Sequence, residues 1–383
     1  MKNFIIFFSI VFTVYGLVNY YIFIRGLQAI PKGIPLRTYY LIFFLVISLS
    51  YFLGRILENY YASTLSDVFV WIGSLWLGLM VYLLLSILLI DILRLVNHFI
   101  GIIPAVLFKD YQRTKQIAAI VVLSVSVILI IAGRINALSP KIQTLDLKVN
   151  KTVNSQKDWN IVLASDIHLG TLIGQSRLDV LVKMINDLKP DLVLFAGDII
   201  DEDLTPVINQ DLGETLKNIN AKFGVYAITG NHEFIGGVEP AVKYLINHGI
   251  NVLRDSSVKI GDSFYLVGRE DRSTNQFAHK RRKELSELMK SVDKNLPVVM
   301  MDHQPFALNE AVENGVDLQL SGHTHHGQLW PFNYITKMVY ELSWGYKKKG
   351  DTHFYVSSGY GGWGPPIKLG SRSEIVNIKL HFN

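Results

Sequence analysis

Four long runs of almost unbroken apolar residues dominate the first third of the chain, at about Phe4–Ile24, Tyr39–Gly54, Val68–Leu93 and Ile117–Gly133. They lack the polar face that a water-soluble helix requires. Their lengths fit the ~20 residues that carry a helix across a bilayer, the short second run borrowing from its neighbours, so the pattern predicts four membrane-spanning helices. Near residue 140 the pattern changes. The segment KIQTLDLKVN at 141–150 alternates polar and apolar positions, the period of a half-buried strand. After it come five short apolar blocks, IVLAS, DLVLFA, VYAIT, PVVMM and VDLQLS, each closed by Gly, Asp or Asn and each with the look of a buried strand. Helices are expected between them at about 176–189, 210–220, 239–249, 278–290 and 306–314. Strands alternating with helices predict an α/β domain with helices on the outer faces. The expected division is a transmembrane domain over 1–135, a linker with an edge strand over 136–157, and the α/β domain over 158–383.

Composition sharpens this picture. Half of the 383 residues are hydrophobic and the mean hydropathy is +0.28, too apolar for a soluble α/β domain of this size; the excess lies in the first third. A cleaved signal peptide fits the first run less well than a membrane helix does, because no small-x-small site follows and three more runs come after. Arg25, Lys32 and Arg37 follow the first run, and Arg94, Lys109, Arg113 and Lys115 follow the third. The second connection carries Arg55 against Glu58 and Asp67. The positive-inside rule then places the first and third loops in the cytoplasm, both termini outside, and the α/β domain on the extracytoplasmic side of the cell membrane. The net charge of +5 is concentrated in those loops and in HKRRK (279–283) and Lys347–Lys349; with no nucleic-acid motif present, no nucleic-acid partner is expected. The absence of Cys rules out disulfides and thiolate ligands.

The candidate chemistry sits at the strand ends. Asp166-Ile167-His168, Gly197-Asp198, Gly230-Asn231-His232-Glu233, His303 and Gly322-His323-Thr324-His325 each follow one of the five blocks. Ligand and metal sites gather at strand ends in open α/β sheets, so the five can converge. Their acidic and amide oxygens and imidazoles make an oxygen/nitrogen site for two borderline divalent cations such as Mn, Fe or Zn. Such a pair needs a bridging carboxylate, and Asp198 suits that role because Gly197 lets the backbone come close. Taken alone, His303 reads as an ordinary core or loop histidine; its company makes it a ligand. His98, His248, His279, His326 and His353 have no motif position and read as structural or solvent-facing.

In order and spelling these blocks resemble the calcineurin-like metallophosphoesterase superfamily, whose pattern is D-x-H, G-D, G-N-H-[ED], a lone H and G-H-x-H. The stretch SGHTHHGQLWP and the tail SSGYGGWGPPIKLGSRSEI are similar to its membrane-associated bacterial branch, in which an Arg is expected where this chain has Ile367-Lys368. The resemblance covers roughly residues 158 to 380. It implies a four-layer α/β/β/α sandwich in which Asp166, His168 and His325 hold one metal, Asn231, His303 and His323 the other, and Asp198 bridges. It also implies hydrolysis by a metal-activated hydroxide, with His232 facing substrate as a charge stabiliser or acid. Glu233 or Asp302 would orient a ligand imidazole.

Two further stretches stand out. HKRRK is expected to open a helix and, as charge runs usually are, to be a solvated face. The rings from Trp330 to Tyr346, followed by three lysines, fit either an interfacial segment resting on anionic lipid or a loop packed on the sheet beside the site. The expected function is a membrane-anchored hydrolase of P–O bonds in a phosphomonoester, phosphodiester or pyrophosphate, with a lipid-linked substrate preferred. The alternative is a non-catalytic membrane sensor or scaffold that binds metal and ligand without turnover.

Overall fold

The computed structural model describes residues 2–101, 104 and 109–383, so the middle of the loop after the third apolar run lies outside the described residues. The chain divides into two compact units, Met1–Arg134 with Gly364–Pro366, and Ile135–Trp363 with Ile367–Asn383.

In the first unit each apolar run becomes a helix longer than the run itself: α1 (Lys2–Ala29), α2 (Leu36–Tyr60), α3 (Thr64–Ile100) and α4 (Tyr111–Leu138). All four are long and apolar enough to cross a membrane. α2 and α3 approach along a seam of small residues, with Ser48, Ser50 and Gly54 of α2 and Ser66, Gly73, Ser74 and Gly78 of α3 buried. A Cβ on Gly73 would lie 2.2 Å from the backbone nitrogen of Tyr51, so only glycine permits this approach. Outward-facing positions such as Leu41, Ile42, Phe43 and Leu89 stay exposed and apolar, as lipid contact requires. Asp91 near the end of α3 bonds with Tyr21 and Arg25 of α1, so the acidic group within an apolar run is paired.

The second unit carries two six-stranded sheets. Its strands are β1 (Lys141–Val149), β2 (Asp158–Ala164), β3 (Leu192–Ala196), β4 (Val225–Ile228), β5 (Ile250–Val252), β6 (Ser256–Ile260), β7 (Phe264–Gly268), β8 (Val298–Met301), β9 (Leu318–Ser321), β10 (Gly345–Lys349), β11 (Thr352–Val356) and β12 (Glu374–Phe382). The first sheet runs β1-β12-β2-β3-β4-β5 and the second β10-β11-β9-β8-β7-β6. β2 to β5 are mutually parallel, as are β11, β9, β8 and β7. β1, the alternating segment, is an edge strand and pairs in parallel with β12. Leu163, Leu194 and Ile228 of the first sheet share one core with Leu266, Val299 and Leu320 of the second, so the sheets pack face to face. Leu178, Leu181 and Ile185 of helix α5 (Gln175–Asp187) are buried on the first sheet. The outer face of the second sheet, with Val267, Val298 and Met300, is covered by Leu285, Leu288, Leu308 and Ala311 from its helices. The result is the expected α/β/β/α order of layers.

Two expected helices differ. The one at 210–220 is reduced to Leu212–Leu216, preceded by a separate turn of helix at Thr205–Asn209. The one at 278–290 starts only at Leu285, so HKRRK does not open a helix. The reason is tertiary: Asp255 takes the backbone N–H of Lys283, and Asp302 takes the guanidinium of Arg282, which pulls the segment out of helical register. Arg282 is largely buried rather than part of a solvated face.

Candidate metal centre

The five motifs occupy the ends of β2, β3, β4, β8 and β9, and the turns that follow are laced together by backbone hydrogen bonds. Asp166 N–H donates to Gly197 O, His168 N–H to Asp198 O, and Gly322 N–H to His303 O, each at 3.0 Å. Carboxylates join the same lattice, with Asp198 accepting from His232 N–H and Asp166 from His323 N–H, both at 2.9 Å. Asp166, His168, Asp198, His323 and His325 all have positive φ, between 45° and 70°. Non-glycine residues avoid that region, so this many strained positions in one place mark a site at which geometry is imposed on the backbone. The glycines of the motifs make room for the side chains: a Cβ on Gly230 would sit 2.1 Å from Asp198 Oδ1, and one on Gly322 2.3 Å from Asp166 Oδ2.

Every residue expected at the site is brought together. Asp166, His168 and His325 form one group able to hold a cation, and Asp198, His303 and His323 form a second; Asp198 also groups with His168 and His232. Asn231 Oδ1 lies 2.8 Å from His323 Nδ1. Asp198 thus touches both halves of the cluster, with Oδ2 at 3.0 Å from His303 Nε2 and 4.0 Å from His168 Nε2. His303 Nδ1 lies 2.7 Å from the carbonyl of Ala196, which can only accept, so Nδ1 carries the proton and Nε2 presents a lone pair.

The donor set fits two cations. Asp166 Oδ2, His168 Nδ1, His303 Nε2 and His325 Nδ1 are buried without a hydrogen-bond partner. His168 Nε2 and His325 Nε2 face each other at 3.2 Å. Such a concentration of unmet lone pairs is costly in a protein interior and is relieved by divalent cations. The electrostatics agree. Burial alone would raise the Asp198 carboxyl, yet positive charge on His303 and His232 holds it well below the usual range, and Asp198 in turn, against burial, raises His303 well above the usual imidazole value; a cation at Nε2 would take over that positive charge and leave the ring neutral. Burial and the neighbouring His168 hold His325 well below the usual imidazole value, in the unprotonated form a ligand needs. Burial would lower His232 too, but Asp198 and Asp201 overcome it and push the ring up to about 9.

A family model described as calcineurin-like phosphoesterase matches residues 160–327, a span that includes every one of these positions. A metallophosphoesterase of Aquifex aeolicus is 31% identical over 248 residues, 62% of this chain and 94% of that protein. The chain belongs to the calcineurin-like metallophosphoesterases. A Helicobacter pylori metallophosphoesterase is 33% identical over 63% of this chain, and a transmembrane protein with metallophosphoesterase domain from Danio rerio 31% identical over 68%. The match spans 64% and 62% of those two relatives' own lengths. Four helices long and apolar enough to cross a membrane precede its metallophosphoesterase domain.

Two expectations about supporting residues are corrected. Glu233 does not orient an imidazole: Oε1 accepts from Ile199 N–H at 2.7 Å and Ile200 N–H at 2.9 Å, and Oε2 from Gly230 N–H at 2.7 Å and Asp198 N–H at 3.2 Å. It clamps the β3 and β4 turns together. Asp302 is bound instead by Arg269 and Arg282. The residue that does reach an imidazole is Asp201, 3.0 Å from His232 Nδ1. Sequence reasoning passed over it, although it lies only three positions beyond Asp198. Lys368, at the place where an Arg was expected, is fully buried and donates to the carbonyls of Ser358 and Gly359 at 2.8 and 2.6 Å. The loop it braces lies on Asp166, whose carbonyl accepts from Gly361 N–H at 2.8 Å.

The aromatic segment resolves into two parts. Trp330, Tyr334, Ile335 and Met338 remain exposed around a short helix, Asn333–Val339, while Trp344 donates to Glu374. Lys347 and Lys349 pair with Glu341, which leaves fewer free cations here than the sequence promised.

Proposed function

We propose that the chain is a membrane-anchored two-metal phosphoesterase whose transmembrane domain spans 1–135, joined through 136–157 to a catalytic domain at 158–383. The observation that carries this reading is the convergence of six oxygen and nitrogen donor residues around one carboxylate, Asp198. Asp166, His168 and His325 would hold one metal, Asn231, His303 and His323 the other, with Asp198 between them. Two divalent cations held there, of Mn, Fe or Zn type, would supply a nucleophilic water near neutral pH and neutralise the phosphoryl oxygens. The chain's own residues do the rest. His303 is fixed in one tautomer by Ala196 O, Glu233 holds the two turns in register, and His232 shares its Nδ1 proton with Asp201, which leaves Nε2 to deliver or accept a proton at the leaving oxygen. A non-catalytic sensor would be favoured by a lost ligand, and all seven positions are filled.

The substrate class favoured is a phosphoester or pyrophosphate embedded in or linked to lipid, because the site belongs to a chain with bilayer-spanning helices. The loop charges favour an extracytoplasmic catalytic domain; a reporter active only outside the cytoplasm should then work when fused after Asn383 and fail when inserted between α3 and α4, and the reverse pattern would overturn this placement. For the chemistry, Asp198→Asn should abolish Mn-dependent turnover of bis-p-nitrophenyl phosphate and p-nitrophenyl phosphate and lower metal content, with the fold intact. Two bound metals and a near-normal rate in that variant would refute the bridge. His232→Asn should keep its metal and lose on the order of 10²–10⁴ in kcat; metal loss would instead make His232 a ligand.

A further inference from the structure

Beside the metal centre lies a cluster of guanidinium and carboxylate groups that the chemistry above does not use. Arg269 is buried and bonds Asp302 at 3.3 Å and Glu310 at 2.9 Å. Arg282 bonds both oxygens of Asp302, at 3.0 and 3.3 Å. Asp271 accepts from Gln304 Nε2 and from Ser273 N–H. Glu270 is held by Arg254 and Thr229. The nearby carboxylates are therefore already engaged. Arg272 differs from Arg269 and Arg282 in making no ion pair among the described residues, and its Nε and Nη2 have no hydrogen-bond partner. Burial, reinforced by the positive Arg282, lowers its proton affinity. A half-buried guanidinium with two unpartnered nitrogens gains from an anion that can reach it.

Its position indicates where that anion comes from. The guanidinium carbon stands 5.6 Å over the ring of Phe306, that ring lies 4.7 Å from Tyr340, and Tyr340 lies 6.3 Å from the ring of His323. Asp271, one residue before Arg272, bonds Gln304, which follows His303. Arg272 is thus connected to His323 through two aromatic rings, and its neighbour Asp271 to the residue beside His303 through Gln304, which puts it next to the metal centre rather than within it.

We propose that Arg272, flanked by Phe306 and Tyr340, forms an anion subsite beside the metal centre that receives a second phosphate group of the substrate, so that diphosphates are preferred over simple monoesters. The proposal rests on the phosphoesterase reading and specifies the substrate of that same site. The planar fork of arginine matches two phosphate oxygens at once, which a lysine ammonium does not.

The test is calorimetric binding of methylenediphosphonate and of inorganic phosphate to the Mn-loaded full chain in detergent, comparing wild type with Arg272→Ala, Arg272→Gln and Arg272→Lys. The diphosphonate should bind roughly 10–100-fold more weakly in all three variants, the worth of a lost charge-assisted pair, while phosphate weakens less than about threefold. Arg272→Gln keeps most of the side-chain volume and guards against simple misfolding. Equal weakening of both ligands, or no weakening of either, would overturn the subsite. Because binding is read without turnover, a wild-type chain that binds the diphosphonate but hydrolyses no phosphoester would sink the hydrolase reading and leave the subsite standing.

Discussion

Replacing Glu233 with Gln tests how the centre is held together rather than what it binds. The side chain is 1% exposed, and its two oxygens accept four backbone N–H groups, two each, from the turns after β3 and β4. Glutamine keeps the volume but turns one acceptor into a donor. Two N–H groups then face another donor in a buried position. Each charge-assisted bond lost is worth about 1.5–3 kcal/mol, so the expected destabilisation is about 3–6 kcal/mol. In a unit of this size ~1 kcal/mol moves the melting temperature by about 2–4 °C, which makes the expected fall on the order of 10 °C. Scanning calorimetry of the detergent-solubilised chain, with chelator and then with Mn, gives the measurement. The opposing possibility is specific: burial and the charge of Asp198 raise the Glu233 pKa, and a carboxyl that stayed protonated would already present a donor, as glutamine does. A fall of less than about 2 °C would therefore mean that Glu233 is neutral in the folded protein and that the four bonds do not act as a clamp.

Gly322→Ala should place a methyl group on Asp166 Oδ2 and Ser165 Oγ, at an overpacking cost of about 1–3 kcal/mol, and lose one of two metals by elemental analysis; full occupancy with an unchanged rate would count against it. Lys368 is pushed down to about 7 from 10.5, chiefly by burial, against opposing attraction from Asp166 and Glu374. Between those pH values the unfolded chain binds a proton that the folded chain does not, so stability should climb as pH rises through the window and be flat below it. The slope should be smaller in Lys368→Met, and identical melting-temperature profiles in both proteins would refute the assignment.

The candidate donors were legible because each is written locally: an apolar strand, then a turn, in three of the five cases opened by a glycine that admits close approach, and then the candidate residue. The membrane helices were legible for a similar reason, since nothing but apolar sequence survives in lipid; only their ends were underestimated, because polar residues such as Arg55 and Glu58 continue a helix that the apolar run has left. Supporting roles were not legible. Glu233 looks like a partner for a neighbouring imidazole, and only the folded chain places four amides around it. HKRRK carries helical composition but loses its helix to Asp255 and Asp302, residues distant in sequence. Arg272 has no periodicity or motif at all, and its meaning comes from which carboxylates are already taken.

The placement of β12 has a consequence for synthesis. This strand, the last in chain order, lies between β1 and β2, pairing with nine residues of the one and six of the other. A growing chain therefore emerges with its first soluble strand unable to join the sheet and with one flank of β2 unpaired until some 230 further residues have been made, roughly the separation of Lys141 from Glu374 in the sequence. The ligand-bearing turns are all translated before the strand that closes their sheet. A cation captured early by the histidines would meet an open edge, closed only once β12 has paired with β1 and β2; shortening the chain within Glu374–Phe382 would leave every candidate ligand in place without the strand that joins β1 to β2.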